Sequence, residues 1–271
     1  MLGTIKEFPI PTANSAPFGI TAGPDGNLWF TESGGAYGAS ANKIGRITTS
    51  GVITGEFPIP TANSNSLGIA AGPDGNLWFC ESLSDKIGRI TTSGAVTGEY
   101  HTLSPSTLET RPLIITAGPD GNLWFTENFG NKIGRITPGG VITEFEVPTA
   151  NSYVFGITAG PDGNLWFTES GGGGGQYANK IGRITPSGSF NEFSIPTANS
   201  QPGFITAGAD GNLWFCEYNG NKIGRITPGG VIREFPIPTA NSQPQGIAPF
   251  PGGNLWFCES NGNKIGEIAT G

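Results

Sequence analysis

A twelve-residue string, "AGPDGNLWFTES" at residues 22–33, returns in near-identical form along the whole chain. Its tryptophan marks the period, with copies 42 to 49 residues apart, at Trp29, Trp78, Trp124, Trp166, Trp214 and Trp256. Tandem copies indicate one structural unit stacked many times, and periods in the forties with strong β character are typical of propeller blades. We therefore expect a single all-β domain over residues 1–271, built from six repeats.

Each repeat divides into four short strands, typified by "GITAG", "NLWFTE", "KIGRIT" and "VITEF". The strings "PDGN" and "TPGG" between them carry the Pro and Asp-Gly chemistry of tight hairpin turns. Alternation in "NLWFTE" places Leu28 and Phe30 on one face and Trp29 on the other. Both faces are apolar, as expected of a blade packed between two others.

The two ends of the chain read as parts of one blade. The last copy stops at "NKIGEIATG" without a fourth strand, whereas the chain begins "GTIKEFPIPTANS", which is a fourth strand without a blade. We therefore predict a six-bladed β-propeller of four-stranded antiparallel blades, closed by the N-terminal strand completing the last blade, because closure pairs otherwise exposed edges. An open arc of six blades is the alternative.

Two repeats carry longer loops, "SGGAYGASAN" and "SGGGGGQYAN". They belong to the first and fourth copies, so a closed ring would place them opposite each other about a pseudo-twofold axis. Added loop length often carries function, and Tyr37 and Tyr177 would then flank a ligand. Glycine runs of this kind equally favour loops without a role.

Composition excludes several classes of protein. The net charge is −7 without blocks of charge, which argues against nucleic acid and anionic membrane as partners. The N-terminus shows no signal peptide, so the cytoplasm is the default expectation, and we expect a monomer. The three cysteines occupy one repeat position and read as small buried residues, not as a disulfide framework.

Every repeat ends its second strand with a glutamate, and six carboxylates at one height would suit a hard cation such as Mg²⁺ or Ca²⁺. These residues are Glu32, Glu81, Glu127, Glu169, Glu217 and Glu259. Each repeat also supplies one lysine in "KIGR" or "KIGE". The alternative is therefore a repeated ion pair or backbone hydrogen bond that fixes the blade.

Positions that break the repeat are the better candidates for ligand contacts, because stacking alone does not require them. We predict a ligand site for a small molecule, sugar or peptide on the funnel face. Its predicted residues are Phe18, Tyr37, Arg111, Phe155, Tyr177 and Gln245.

The combination of "LWFTE", "NKIGRITPGGVITEF" and "EFPIPTANSQP" resembles the virginiamycin B lyase (streptogramin lyase) family over essentially the whole chain. The resemblance implies a propeller, of seven blades in that family, that opens type B streptogramins, which are cyclic depsipeptides, by elimination with a magnesium ion. It also implies catalytic histidines just before the "GIT" strand, with glutamates nearby.

The sequence departs from that pattern where the histidines belong. The equivalent positions are Phe18, Leu67, Leu113, Phe155, Gly203 and Gln245, and the one histidine, His101, lies at the proline position of an outer strand. Without a general base, proton abstraction has no agent. We therefore expect a ligand-binding, partner-binding or scaffold propeller that lacks the catalytic histidines of the family and requires no cofactor. The alternative is a magnesium-dependent lyase acting on a cyclic depsipeptide.

Overall fold

The chain folds into six small antiparallel sheets, which are the blades of an all-β propeller. A computed structural model describes residues 6–34, 41–103, 109–171 and 178–270. Within them, five sheets have four strands and the sixth has three, hydrogen-bonded in chain order. The predicted blade count and the four-strand unit are confirmed, and the sixth sheet is the exception.

The strands are short and follow the repeat. The first two sheets contain β1 (Pro17–Ala22), β2 (Leu28–Glu32), β3 (Lys43–Ile47), β4 (Ile53–Pro58), β5 (Ser66–Ala71), β6 (Leu77–Glu81), β7 (Lys86–Ile90) and β8 (Val96–His101). The next two contain β9 (Pro112–Ala117), β10 (Leu123–Glu127), β11 (Lys132–Ile136), β12 (Ile142–Glu146), β13 (Val154–Ala159), β14 (Leu165–Glu169), β15 (Lys180–Ile184) and β16 (Phe190–Ser194). The last two contain β17 (Pro202–Ala207), β18 (Leu213–Glu217), β19 (Lys222–Ile226), β20 (Ile232–Pro236), β21 (Pro244–Pro249), β22 (Leu255–Glu259) and β23 (Lys264–Ile268).

Helix is almost absent from the described residues. One 3₁₀ turn, Ser82–Ser84, follows β6. No helix among the described residues has the length and apolarity needed to cross a membrane. The residues divide into two compact units, 1–102 with 111–115, and 103–110 with 116–271.

The "PDGN" turns confirm the predicted hairpin chemistry. In the fourth repeat, Gly163 takes a φ of 75°, which glycine adopts without strain. Asp162 Oδ1 accepts a hydrogen bond from Trp166 Nε1 at 3.0 Å, and Asp162 Oδ2 accepts one from Asn164 Nδ2 at 2.8 Å. The turn aspartate therefore anchors the buried tryptophan of the strand that it begins.

Side-chain alternation builds the packing between sheets. Trp29 and Ile44 of the first sheet pack against Ile69, Phe79 and other apolar residues of the second. The predicted separation of the tryptophan from its neighbouring Leu and Phe is thereby confirmed.

The predicted closing strand is not among the described strands. The sixth sheet contains only β21, β22 and β23, and residues 6–10 belong to no strand. The N-terminal segment contacts the first sheet as a fourth strand contacts the sheet that follows it. A Cβ on Gly51 would lie 1.8 Å from the Phe8 ring, as one on Gly94 would lie 2.0 Å from the Phe57 ring. The backbone N–H of Thr12 donates to Glu56 Oε1 at 3.1 Å, as that of Thr61 donates to Glu99 Oε1 at 3.0 Å. The two long loops lie at residues 35–40 and 172–177, outside the described residues.

The sixth sheet is also where the cysteine prediction is only partly right. Cys80 and Cys216 are buried, whereas Cys258 in β22 is exposed. Cys258 pairs across the sheet with Ile265 of β23. Ile265 on the neighbouring strand is 63% exposed there.

Candidate functional site

The second unit holds a pocket of about 430 Å³ where strands β13, β17 and β21 begin. Its lining residues are Asn128, Tyr153, Phe155, Ser170, Gly171, Gln201, Pro202, Gly203, Phe204, Tyr218, Pro244 and Gln245. Pockets that take organic ligands are mostly apolar with a few convergent polar groups. This lining has that character, because aromatic rings and prolines alternate with three side-chain amides.

Two aromatic pairs shape the pocket. Phe155 and Phe204 meet edge to face, with ring centroids 5.2 Å apart. Tyr153 is held edge to face against Phe129 at 5.6 Å. Such contacts stabilise a pair by roughly 0.5–1.5 kcal/mol beyond simple burial. The rings are therefore pre-positioned before any ligand binds.

An asparagine clamp fixes the loop that carries Tyr153. Asn131 Nδ2 donates to the carbonyls of Val147 and Thr149, both at 3.1 Å. Asn131 Oδ1 accepts from the backbone N–H of Ser152 at 2.7 Å and from its hydroxyl at 2.9 Å. The Asn131 side chain thus provides hydrogen-bond partners for polar groups of the turn that would otherwise be buried and unpaired. Tyr153, the next residue, follows with a φ of 47°.

The same clamp recurs before β17. Asn179 bonds to the carbonyls of Ile195 and Thr197 and to both donors of Ser200. Gln201 then takes a φ of 51° and its carbonyl accepts the N–H of Tyr218 at 3.2 Å. A left-handed φ is uncommon for residues other than glycine and clusters at functional positions. The repeat therefore holds its variable residue in a strained conformation at the pocket.

The described lining of the pocket carries no formal charge. Among the described residues that line it there is no Asp, Glu, Lys, Arg or His, and the titratable groups there are the phenols of Tyr153 and Tyr218. A general base for chemistry near neutral pH needs a pKa close to that pH. The site can donate hydrogen bonds from amides and phenols and can stack on apolar groups.

The predicted ligand residues are distributed unevenly. Phe155 and Gln245 both line the pocket. Phe18 and Arg111 belong to the other compact unit, where the backbone N–H of Arg111 donates to Asp85 Oδ1 at 2.9 Å. Tyr37 and Tyr177 lie outside the described residues.

Sequence reasoning missed Tyr153, Tyr218 and Asn128 as lining residues. Each breaks the repeat at a position where most copies carry a small or polar residue. Tyr218 and Asn128 directly follow the strand-ending glutamate, where the other copies have serine. A comparison of the six copies at that position would have identified both residues as candidates.

The strand-ending glutamates lie inside their own blades. Glu81 is completely buried, and neither of its carboxyl oxygens receives a hydrogen bond from a described donor. Burial, followed by the nearby Glu99 of β8, raises the pKa of Glu81 to about 8. Burial, and after it the fourth-strand glutamate of the same sheet, raises the pKa of Glu32 to about 7 and of Glu169 and Glu217 to about 8.

The repeated lysine pairs with a different glutamate from the one that the sequence suggested. Lys180 Nζ lies 2.8 Å from Glu192 Oε2 on β16, and Lys222 Nζ lies 2.9 Å from Glu234 Oε2 on β20. The lysine hydrogen bond helps to lower the pKa of Glu192 and of Glu234, which favours their ionised form. The raised pKa values of Glu169 and Glu217 beside them favour the neutral acid near pH 7.

Among the described residues, no group of three His, Cys, Asp or Glu side chains is arranged to hold a metal ion. Glu32, Glu81, Glu127, Glu169, Glu217 and Glu259 are all buried. Where their pKa is raised, the neutral carboxyl fits a buried acid pair better than a cation ligand. The Mg²⁺ or Ca²⁺ site stays a prediction.

His101 is exposed at the end of β8, where it pairs across the sheet with Lys86. It does not line the pocket. The expected position on an outer strand agrees with this placement.

Comparison with known proteins identifies relatives over the full length. The sequence profile of the virginiamycin B lyase family matches residues 1–103, 37–174 and 97–271. The crystal structure of virginiamycin B lyase from Staphylococcus aureus is 46% identical with a TM-score of 0.87, covering 98% of this chain and 84% of that one. A catalytically inactive histidine-to-alanine variant of that enzyme with quinupristin is 44% identical, with a TM-score of 0.88 and coverage of 98% and 85%.

A third solved structure, a streptogramin B lyase, is 41% identical with a TM-score of 0.86 and covers 98% of this chain and 83% of that one. Identity at this level over nearly the whole chain, together with the family profile, defines the relationship. This six-bladed propeller belongs to the virginiamycin B lyase family.

Proposed function

We propose that the pocket of the second unit binds a cyclic depsipeptide of the type B streptogramin class without opening it. The observation that carries the proposal is the uncharged lining: among the described residues, rings and amides meet there without a carboxylate, an imidazole or an amine. A site of this composition can hold an amide-rich apolar ring and has no group to remove a proton from it.

The shape and chemistry of the lining support this ligand class. Phe155 and Phe204 offer an edge-to-face pair for apolar side chains. Gln201 and Gln245 offer amide groups for the carbonyls of a peptide or ester backbone. The relative solved with quinupristin is a catalytically inactive histidine variant. In the present chain the residues at the positions expected to hold histidine include Phe155, Gly203 and Gln245, all of which line the pocket.

The proposal is tested by calorimetric titration of the full chain with quinupristin, with parallel chromatography of the antibiotic. Elimination across the ester leaves the mass unchanged, so intact and opened ligand must be separated by retention time. We expect saturable binding and full recovery of intact ligand, with and without added Mg²⁺.

Alanine variants of two lining residues test whether the ligand binds in this pocket. Phe155→Ala and Phe204→Ala should each weaken the affinity by about tenfold, as truncation of a central aromatic contact does. Val231→Ala, at an exposed turn outside the pocket, is the control and should leave the affinity unchanged. Absence of binding would refute the proposal. Mg²⁺-dependent ring opening would establish the lyase alternative instead.

A further inference from the structure

In the second unit, side chains of one sheet donate hydrogen bonds to the first strand of the next sheet. Thr126 Oγ1 donates to the carbonyl of Phe155 at 2.9 Å, and Asn128 Nδ2 donates to that of Val154 at 2.9 Å. The donors are the threonine of "WFTE" and the residue two positions after it. The acceptors are the first two residues of β13. Two side chains of the third sheet thus provide donors for two carbonyls of the fourth.

The same two bonds connect the fourth sheet to the fifth. Thr168 Oγ1 donates to the carbonyl of Gly203 at 2.8 Å, and the Ser170 hydroxyl donates to that of Pro202. Pro202 and Gly203 are the first two residues of β17, and both line the pocket. Buried backbone carbonyls are almost always paired in folded proteins. On this side of the pocket, the neighbouring sheet provides the pairing.

The fifth sheet departs from this pattern at both donor positions. Its string is "WFCEY", so Cys216 stands in place of the threonine and Tyr218 in place of the serine or asparagine. A thiol is a weak donor, and the phenol hydroxyl lies at the far end of a ring, much further from the backbone than a serine hydroxyl. Among the described residues, neither side chain donates to the carbonyls of Pro244 and Gln245, the equivalents of Pro202 and Gly203.

Both substitutions lie at the pocket or directly beneath it. Tyr218, Pro244 and Gln245 are lining residues, whereas Cys216 is completely buried and does not line the pocket. A carbonyl that lacks its usual donor loses the free energy of that hydrogen bond, and a ligand that provides a donor recovers it. The pocket therefore has one strand, β17, whose first carbonyls are paired by a neighbouring sheet, and one strand, β21, whose first carbonyls lack that pairing.

We propose that the start of β21 is a hydrogen-bond acceptor subsite, in which the carbonyl oxygens of Pro244 and Gln245 accept N–H donors of the bound ligand. The inference rests on the proposed function, because the amide N–H groups of a cyclic depsipeptide are the donors. An ester oxygen carries no hydrogen, so the subsite selects an amide edge of the ring and turns the ester away from β21. A site built to pair with an N–H discriminates against a ligand that lacks one.

The two kinds of carbonyl can be observed separately by nuclear magnetic resonance of the full chain. The pair Pro-Gln occurs only at residues 244–245, and the pair Val-Phe only at residues 154–155. One sample with ¹³C-carbonyl proline and ¹⁵N-glutamine, and one with ¹³C-carbonyl valine and ¹⁵N-phenylalanine, therefore each report a single peptide bond. A carbonyl resonance moves downfield when the oxygen accepts a hydrogen bond. Titration with quinupristin should move the Pro244 resonance downfield and leave that of Val154, which Asn128 already pairs, in place.

A matched pair of variants separates the missing donor from the tyrosine ring. Tyr218→Ser restores the hydroxyl of the repeat, whereas Tyr218→Ala removes the same ring without adding a donor. In the ligand-free chain, the Pro244 resonance should lie further downfield in Tyr218→Ser than in Tyr218→Ala. Quinupristin should bind Tyr218→Ser about tenfold more weakly than Tyr218→Ala, because the serine occupies the acceptor.

Cys216→Thr tests the second carbonyl without changing a lining residue. The threonine should donate to Gln245 as Thr168 donates to Gly203, and it should weaken quinupristin binding by a similar factor. The pair Gln-Gly occurs only at residues 245–246, so the Gln245 resonance can be followed in the same way. This variant decides the question alone where the Tyr218 variants fail to fold.

The outcomes distinguish this subsite from the proposed function. Quinupristin that binds without moving the Pro244 resonance, or that binds the serine and alanine variants equally, would overturn the acceptor subsite and leave the proposed function standing. A Pro244 resonance that is the same in both ligand-free variants would overturn the subsite without any use of the antibiotic. Absence of calorimetric binding to the wild type would instead refute the proposed function, and with it the ligand assigned to β21.

Discussion

The carboxyl group of Glu81 lies buried beside that of Glu99 in the same sheet, and burial followed by this neighbour raises the pKa of Glu81 to about 8. Glu169 with Glu192 and Glu217 with Glu234 repeat the relationship. A neutral acid can donate its proton to the neighbouring carboxylate, and the lysine of the blade balances the remaining charge. Each such pair links the second strand of a blade to its fourth.

Stability should therefore fall as the pH rises above the ordinary glutamate pKa. The folded state holds a proton on Glu81 up to about pH 8, whereas the unfolded state releases it near its ordinary value of 4.5. Because the folded state binds more protons in this window, the free energy of unfolding decreases from the lower pH to the higher. Urea unfolding between about pH 5 and pH 8 measures this slope directly.

Glu81→Gln should flatten that slope. The amide has the same shape, can donate to Glu99 and cannot ionise, so the variant should gain on the order of 2 kcal/mol over the wild type at the alkaline end. Glu146→Gln on the exposed part of β12 is the matched control and should leave the slope unchanged. A slope that Glu81→Gln does not alter would show that Glu81 is not protonated in the folded chain.

The turn aspartates predict a second stability effect. Burial alone would raise the pKa of Asp162, but hydrogen bonds from Trp166 and Asn164 outweigh it and hold the pKa below its ordinary value. Asp162→Ala removes these acceptors and leaves the buried Trp166 N–H unsatisfied, for an expected loss of about 2–3 kcal/mol. Asp162→Asn keeps the acceptor for the indole and should lose less. Urea unfolding followed by tryptophan fluorescence compares the three proteins, and equal losses would contradict the assignment.

The fold could be predicted from the sequence, because the period, the alternation in "NLWFTE" and the "PDGN" turns all indicate the same four-stranded unit. The packing of the N-terminal segment could not be predicted in the same way. The sequence predicts that the N-terminal segment is the fourth strand of the last sheet, whereas residues 6–10 belong to no described strand, and Phe8 contacts Gly51 of the first sheet as Phe57 contacts Gly94 of the second.

The candidate site was partly readable for a related reason. Phe155 and Gln245 stood out because they break the repeat, whereas their convergence with Tyr153 and Tyr218 depends on where β13 and β17 begin. For the strand-ending glutamates, the sequence showed the repeated position but not the protonation state. That state depends on burial and on a second glutamate in the fourth strand, such as Glu99 beside Glu81.

The asparagine clamp predicts a link between stability and the pocket. Asn179→Ala removes four hydrogen bonds and places alanine at a φ of 53°, so we expect a loss of about 2–4 kcal/mol. Asn179→Gly accepts the backbone conformation and should lose about 1 kcal/mol less. Binding of quinupristin should weaken in both, because Gln201 is no longer held. Unchanged stability in Asn179→Ala would show that the clamp contributes nothing.

Glycine in "KIGR" is predicted to be irreplaceable because an aromatic ring lies on it. A Cβ on Gly182 would fall 2.1 Å from Cζ of Phe167, whose side chain is completely buried. Gly182→Ala should therefore destabilise the chain by about 3 kcal/mol or more, beyond the usual cost of an added methyl group in a core. Gly203→Ala is the matched control, because its Cβ would meet nothing closer than the Cys216 carbonyl oxygen at 3.9 Å. Replacing Phe167 by Leu in the Gly182→Ala background should recover part of the loss in urea unfolding. A loss that Phe167→Leu does not relieve would place the strain in the backbone of β15 and not in the ring.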